Sequence, residues 1–187
     1  NSASIHPAAW CSRMCLPVYE PVKPPGGGSP RSRSFSAAMS CWRPYRWRFN
    51  MRTGAVREGY LSDTITEFGM INQAYAGLAY RYVYSVVPTK GMFTFDGLIK
   101  HDVQTGREEV VLFGDGVVGS ETVVASKPNA VDEDDAWLVT FTSDVPNDVS
   151  HCVVYDAKAL TDGPVARVQL PERISSGTHA CWAATSR

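Results

Sequence analysis

Long apolar runs are missing from this sequence: none approaches the roughly 20 residues that span a bilayer as a helix. A net charge of either sign is also missing. With 18 Lys and Arg against 19 Asp and Glu, the formal charge is −1, so there is no electrostatic footprint for nucleic acid or for an anionic membrane surface. Cysteine is scarce, five at irregular spacing. That is no disulfide framework, and the cysteines read as free thiols of a reducing, cytoplasmic compartment. Cys11 and Cys15 have no second Cys/His pair at zinc-finger spacing. A structural zinc from these two and His6 is the weaker reading. The sequence starts with Asn and shows no signal-peptide apolar region. No nucleophile elbow, P-loop or dinucleotide fingerprint occurs. The three glycines of "GDGVVGSE" lie between strand-like runs, with no helix to receive a phosphate.

What is present changes at about residue 43. Residues 1–42 include "PVKPPGGGSPRSRSFSAAMS", a Pro/Gly/Ser-rich composition without hydrophobic period. It cannot bury enough apolar surface to offset ordering entropy, and the expectation for residues 1–42 is an irregular or disordered leader, with a native and a non-native origin both left open. From residue 43 to 187, short runs rich in Val, Tyr, Phe and Thr alternate with Gly, Asp-Gly and Pro turns: "RYVYSVV", "GLIKHDV", "EEVVLFG", "AWLVTFT", "HCVVYDA", "VARVQLP". This texture is all-β. The one helix-compatible window, "NQAYAGLAY", is weak.

A repeat runs through these strands. "RWRFNMRTGAVREGYL", "GLIKHDVQTGREEVVLF" and "HCVVYDAKALTDGPVARVQL" each hold a strand ending in Asn or Asp, a turn with Gly, and a second strand. The anchors Asn50, Asp102 and Asp156 are 52 and 54 residues apart. An Asx side chain can bond its own backbone, and Gly supplies the positive φ of the turn. A period near 50 built from antiparallel strands points to propeller blades.

Each hairpin is followed, 17, 19 and 23 residues after its anchor, by one polar side chain: Glu67 in "TEFGMIN", Glu121 in "GSETVVA" and His179 in "GTHACW". At equivalent points of successive blades they would start successive inner strands and converge on the axis. Two carboxylates and an imidazole make a metal ligand with carboxylate partners or an acid/base site. The bland alternatives are a turn histidine and two solvated glutamates. Yet both glutamates adjoin apolar runs, where an unpaired carboxylate is costly. His101 reads as exposed on a hairpin, His151 as starting a strand, and "VDEDD" (131–135) as a solvated turn. Trp42, Trp47, Trp137 and Trp182 read as packing residues.

The segments "RWRFNMRTGAVREGYLSD", "TEFGMIN", "FDGLIKHDVQTGREEVVLFGDGVVGSETVVA", "EDDAWLVTFTSD" and "CVVYDAKALTDGPVARVQLPERISSGTHACW" resemble, in order and spacing, the C-terminal part of the carotenoid oxygenases, also called carotenoid cleavage dioxygenases. In texture they resemble the lignostilbene-dioxygenase-like branch. The resemblance implies a seven-bladed β-propeller, of which this sequence would supply about the last two to three blades. It implies a non-haem Fe(II) held by four histidines, with His179 matching the last of them. Glu67 and Glu121 match glutamates that hold ligand histidines in place. The other three histidines have no counterpart here, and His6 lacks the matching context. Gly69 stands where the family has Pro after "EF", and Ala136 stands where Gly is common.

The implied reaction uses O2 to cleave a carbon–carbon double bond of a carotenoid, apocarotenoid or stilbene into two carbonyl products. Its partners would be a small apolar polyene or stilbene and O2, with peripheral membrane contact of a longer protein left open. Taken alone, the 187 residues are expected to be inactive. Two rivals remain: a non-enzymatic propeller interaction module and an all-β sandwich binding protein. Neither requires Glu67, Glu121 and His179 to meet.

Overall fold

A computed structural model describes residues 10–15 (as backbone), 42–175, 177 and 179–183. Twelve strands and two short 3₁₀ turns make up the regular structure there. Strands β1 (Trp10–Cys15), β2 (Tyr45–Asn50) and β3 (Val56–Tyr60) form one antiparallel sheet. The second sheet contains two four-stranded antiparallel meanders. The first is β4 (Glu67–Met70), β5 (Tyr82–Pro88), β6 (Phe95–Asp102) and β7 (Glu108–Leu112). After the short β8 (Val117–Gly119), the second is β9 (Val123–Ser126), β10 (Ala136–Asp144), β11 (Val149–Asp156) and β12 (Pro164–Gln169). β8 joins them, pairing with Thr142–Asp144 of β10 and, at Gly119, with Phe95 of β6. Among the described residues neither sheet closes on itself. The weak helical window yields only the 3₁₀ turn Gln73–Tyr75.

The expected leader is not wholly irregular. Trp10–Cys15 forms a strand that pairs along its whole length with β2. Sequence range explains the difference: "WCSRMC" carries no turn signal, and its paired residues lie 30 to 40 positions away. The remaining residues of the expected leader up to 41 lie outside the described ones.

The repeat has a physical basis in its turns. Asn50 Oδ1 accepts from the backbone N–H of Arg52 and Thr53, each at 3.0 Å. Asp102 Oδ1 accepts from Gln104 and Thr105 at 2.9 and 3.2 Å. Gly54 and Gly106 close the two turns at φ of 72° and 76°, a region costly for residues with a Cβ. Asp156 starts the third turn alike, accepting from Lys158 N at 3.0 Å, before the longer loop that ends at Gly163.

The core lies between the meanders. Tyr84, Val86 and Leu98 from β5 and β6 pack with Val124, Leu138, Val153 and Tyr155 from β9, β10 and β11. These residues alternate along their strands, as one face of a pleated sheet requires. β5 and β6 are buried on both faces: Val83 and Ile99, on the far side, are also fully buried. Gly97 is dictated by close approach, since a Cβ there would lie 2.2 Å from the Val111 carbonyl oxygen of β7. β12 is exposed at every residue and begins with Pro164, a position open to proline because its outer edge needs no donor.

A polar lock joins the meanders at one end. Lys100 of β6, about 5% exposed, donates to Asp134 Oδ2 and to the Ala157 carbonyl, both at 2.8 Å, and its Nζ lies 4.2 Å from the Tyr82 ring centroid. Glu133 accepts from the backbone N–H of Arg81 and Tyr82 at 2.7 and 2.8 Å. Asn72, just after β4, donates to the Glu133 carbonyl and accepts from Ser126 Oγ at the end of β9, both at 2.9 Å. Residues 131–135 are therefore a solvated turn only in part: Val131 and Asp132 are exposed, and the two acids that follow are not. Glu133 and Asp134 are buried because the loop before β10 falls against the start of β5, whose N–H groups need acceptors.

His101 is likewise buried, not exposed on a hairpin. β6 is an inner strand, and β7 brings Glu108 Oε1 to 3.1 Å from the His101 Nδ1. Thr64 Oγ1 donates to the other carboxylate oxygen at 2.7 Å. Burial pushes the His101 imidazole below its ordinary pKa. Of the tryptophans expected to pack, Trp42 does so against the core, whereas Trp182 is 53% exposed.

Removing one member of a buried ion pair leaves an uncompensated charge, so Lys100→Met should lower the unfolding free energy by about 3–5 kcal/mol. The double variant Lys100→Met/Asp134→Leu should recover much of that loss. Lys158→Ala, on the solvent side of the same loop, should change little. Denaturant midpoints of the three variants check this order.

Candidate functional site

The lock fixes one end of β4 against one end of β9, so the opposite ends of these two strands also lie near each other. Glu67 opens β4 there. It pairs with Val86, and the register shifts before Met70. Two residues lie between, Phe68 and Gly69, and the φ of Phe68 is 48°. For an L residue with a large side chain this left-handed conformation costs on the order of 1 kcal/mol. Its consequence is directional: the Phe68 ring meets Phe95 edge-on at 5.4 Å and His179 edge-on at 5.2 Å.

Glu121 stands two residues before β9. The segment is pinned to β10 by Ser120 N donating to the Phe141 carbonyl at 2.9 Å and by Thr140 Oγ1 donating to the Ser120 carbonyl at 3.1 Å. After β12 the chain turns back across the meander. Arg173 donates to Ser143 Oγ at 2.8 Å and Ile174 N to Ser150 Oγ at 3.1 Å. Ala180 N then donates to Glu121 Oε2 at 2.7 Å, and the same oxygen lies 3.5 Å from the His179 Nδ1.

Of the three side chains picked out by the repeat, Glu121 and His179 meet, while Glu67 comes no nearer than its neighbour Phe68, whose ring touches the imidazole. Glu121 is 6% exposed, while the His179 side chain is 79% exposed. With Nδ1 turned to a carboxylate, the imidazole keeps Nε2 for another partner, the arrangement by which a carboxylate orients a metal-binding histidine. Glu67 is 4% exposed and its Oε1 has no hydrogen-bond partner among the described residues. Burial raises its pKa from 4.5 to about 7, opposed by the Phe68 backbone N–H. Among the described residues, no three His, Cys, Asp or Glu side chains form a group that could hold a metal ion. His179 fits the role of one ligand backed by one carboxylate. Sequence reasoning missed Phe68, because nothing in "EFG" announces a left-handed phenylalanine.

The family model described as RPE65, retinal pigment epithelial membrane protein, matches residues 10–184. The chain belongs to the RPE65/carotenoid oxygenase family. Among curated carotenoid oxygenases it is 34% identical over 152 residues to carotenoid 9,10(9',10')-cleavage dioxygenase 1 of Arabidopsis thaliana, a match covering 74% of this chain and 28% of that protein. It is 31% identical over 147 residues to a carotenoid cleavage oxygenase of Mycobacterium tuberculosis, covering 75% of this chain and 29% of that one. The chain therefore spans less than a third of the length of these relatives. Its fold matches cobalt-substituted Synechocystis apocarotenoid oxygenase with a TM-score of 0.75 at 22% identity, covering 94% of this chain and 36% of that one. A lignostilbene dioxygenase of Pseudomonas brassicacearum matches with a TM-score of 0.70 at 23% identity, covering 78% and 33%. The carotenoid-oxygenase match begins at Trp10, so β1 falls inside the family's span.

The raised pKa of Glu67 fixes the sign of a pH effect. Below pH 4.5 the carboxyl is protonated folded or unfolded. Between 4.5 and about 7 the folded state holds the extra proton, so this group's contribution to stability falls as pH rises, then levels off. Glu67→Gln should remove that decline. The variant should match the parent near pH 4.5 and melt higher at pH 8, as read from thermal unfolding across a pH series.

Proposed function

We propose that the chain is part of a non-haem Fe(II) dioxygenase that cleaves a carbon–carbon double bond of a carotenoid, apocarotenoid or stilbene into two carbonyl products. In this reading the two meanders are blades of a seven-bladed propeller. The observation that carries it is the meeting of His179 with Glu121 just before β9, with the ring of Phe68, the residue after the buried Glu67, against the same imidazole. Family membership supports the reaction class, and the dioxygenase names of the relatives support the polyene and stilbene substrates.

His179 would give Nε2 to the metal as one imidazole of a larger ligand set. Glu121 would accept the Nδ1 proton, which fixes the tautomer, orients the ring and raises its basicity. Glu67 would accept an N–H at its free Oε1, as the carboxylate behind a second ligand histidine. Phe68 and Phe95 would keep water from the carboxylates and offer an apolar wall to an apolar substrate. Neutral imidazoles suit Fe(II), which when bound supplies the O2 chemistry. Both oxygen atoms of O2 end in the products, so no further reductant is consumed.

The test is cleavage of a panel of carotenoids, apocarotenoids and stilbenes under air by the purified full-length protein that contains this chain, supplied with Fe(II), with bound iron measured in parallel. His179→Ala should lose both iron and cleavage. Glu121→Gln should weaken both by about 10–100-fold. Cleavage that persists undiminished in His179→Ala would overturn the proposal.

A further inference from the structure

Glu121 alone does not define the orientation of the His179 ring. Its Oε2 lies 3.5 Å from Nδ1, while the same oxygen takes a shorter hydrogen bond, 2.7 Å, from Ala180 N. A ring hinged at Cβ and held at one nitrogen can still swing about that contact, and this ring is largely exposed, so the surrounding core does not confine it. The second contact is Phe68, edge-to-face at 5.2 Å and 69° between planes. Phe68 is itself backed by Phe95, again edge-on at 5.4 Å, and Phe95 is 1% exposed. A fixed aromatic column therefore runs from the core to the imidazole.

The backbone of Phe68 points the same way. Its φ of 48° is one of three positive φ values at non-glycine residues among those described. The other two, Asn129 and Asp148, are of the types that tolerate this region. Phenylalanine is not, and Gly69 stands next in sequence. In a regular strand Phe68 would point away from the side that Glu67 and Gly69 share. The left-handed residue and the register shift in β4 change that direction and bring its ring to His179. Strain of this kind persists where the surroundings over-determine it, and it clusters at sites with a task.

We infer that Phe68 is a positioning residue: its ring, held in place by the strained β4 bulge and by Phe95, clamps the His179 imidazole against Glu121 so that Nε2 is presented in one direction. The metal part of this inference rests on the proposed function; the clamp itself does not. Phe68→Leu keeps an apolar side chain of similar reach and removes the aromatic edge, whereas Phe68→Tyr keeps the ring.

The test uses the metal-free full-length protein that contains this chain, labelled at histidine, with the His179 ring signals assigned by their loss in His179→Ala. Phe68→Leu should move the His179 ring protons toward free-histidine positions, because the neighbouring ring current is gone. His101 and His151 should stay in place, showing that the fold is intact. Phe68→Tyr should keep the parent pattern. Co(II) titration of the same proteins, in the absence of substrate, should show Phe68→Leu weakened by about tenfold and Phe68→Tyr near the parent. Unchanged His179 ring signals in Phe68→Leu overturn the clamp. If those signals move while His179→Ala leaves Co(II) binding unaltered, the clamp stands and the ligand role of His179 falls. Should Phe68→Leu disturb His101 and His151 as well, Phe95→Leu takes its place: it removes the backing ring while leaving Phe68 present, and His179 signals unmoved by it overturn the inference.

Discussion

A lysine ammonium and a carboxylate out of water are costly unless each finds several partners. The Lys100–Asp134 pair meets that condition through the Ala157 carbonyl and the Tyr82 ring face. Glu133, the neighbouring acid, meets it through two backbone N–H groups at the start of β5. Hydrophobic burial would tolerate small slides of one meander over the other, because apolar contact is not directional. Hydrogen bonds at 2.7–2.9 Å from the loop before β10 to β5, β6 and Asn72 do not. The lock therefore sets registry between the meanders more than it adds net stability. At the other end Gly119 pairs with Phe95, and between these two fixed points β4 and β9 have one relative placement.

That placement explains why a repeat in sequence becomes a site in space. The Asx turns at Asn50 and Asp102 are local devices with the same bonds in each copy, and local devices are readable from residue types and spacing. Glu67 and Glu121 follow such turns at nearly equal offsets and arrive at equivalent ends of β4 and β9. His179 follows the third turn at a longer offset, and the difference is taken up by the return path anchored at Ser143, Ser150 and Glu121.

What could not be read was set by long-range contacts. His101 stands beside Lys100 and Asp102 in a run that looks hydrophilic, yet all three are buried because β6 is an inner strand with partners on both edges. Residues 131–135 look like a solvated acidic turn until the N–H groups of Arg81 and Tyr82 and the ammonium of Lys100 appear around them. "WCSRMC" shows no alternation strong enough to mark β1, whose strand is given by β2. The conformation of Phe68 depends on a register shift that no pattern of apolar residues encodes.

The same stretch of β4 holds two features that weaken the fold by themselves: a buried carboxylate oxygen without a partner and a left-handed phenylalanine. Several other sequence choices agree with local preference, from the asparagine and aspartate of the turns to the glycine under the Val111 carbonyl. Local rules are thus broken at adjacent residues, the second of which, Phe68, touches both the core at Phe95 and an exposed imidazole 3.5 Å from a glutamate. A donor approaching Glu67 Oε1 would supply the missing hydrogen bond and return the carboxylate pKa toward its ordinary range. Glu67 would thus be stabilised by a donor at Oε1, while the left-handed φ of Phe68 does not depend on one. On the proposed reading the two residues answer to different demands, one to an incoming donor and the other to the direction of the His179 ring.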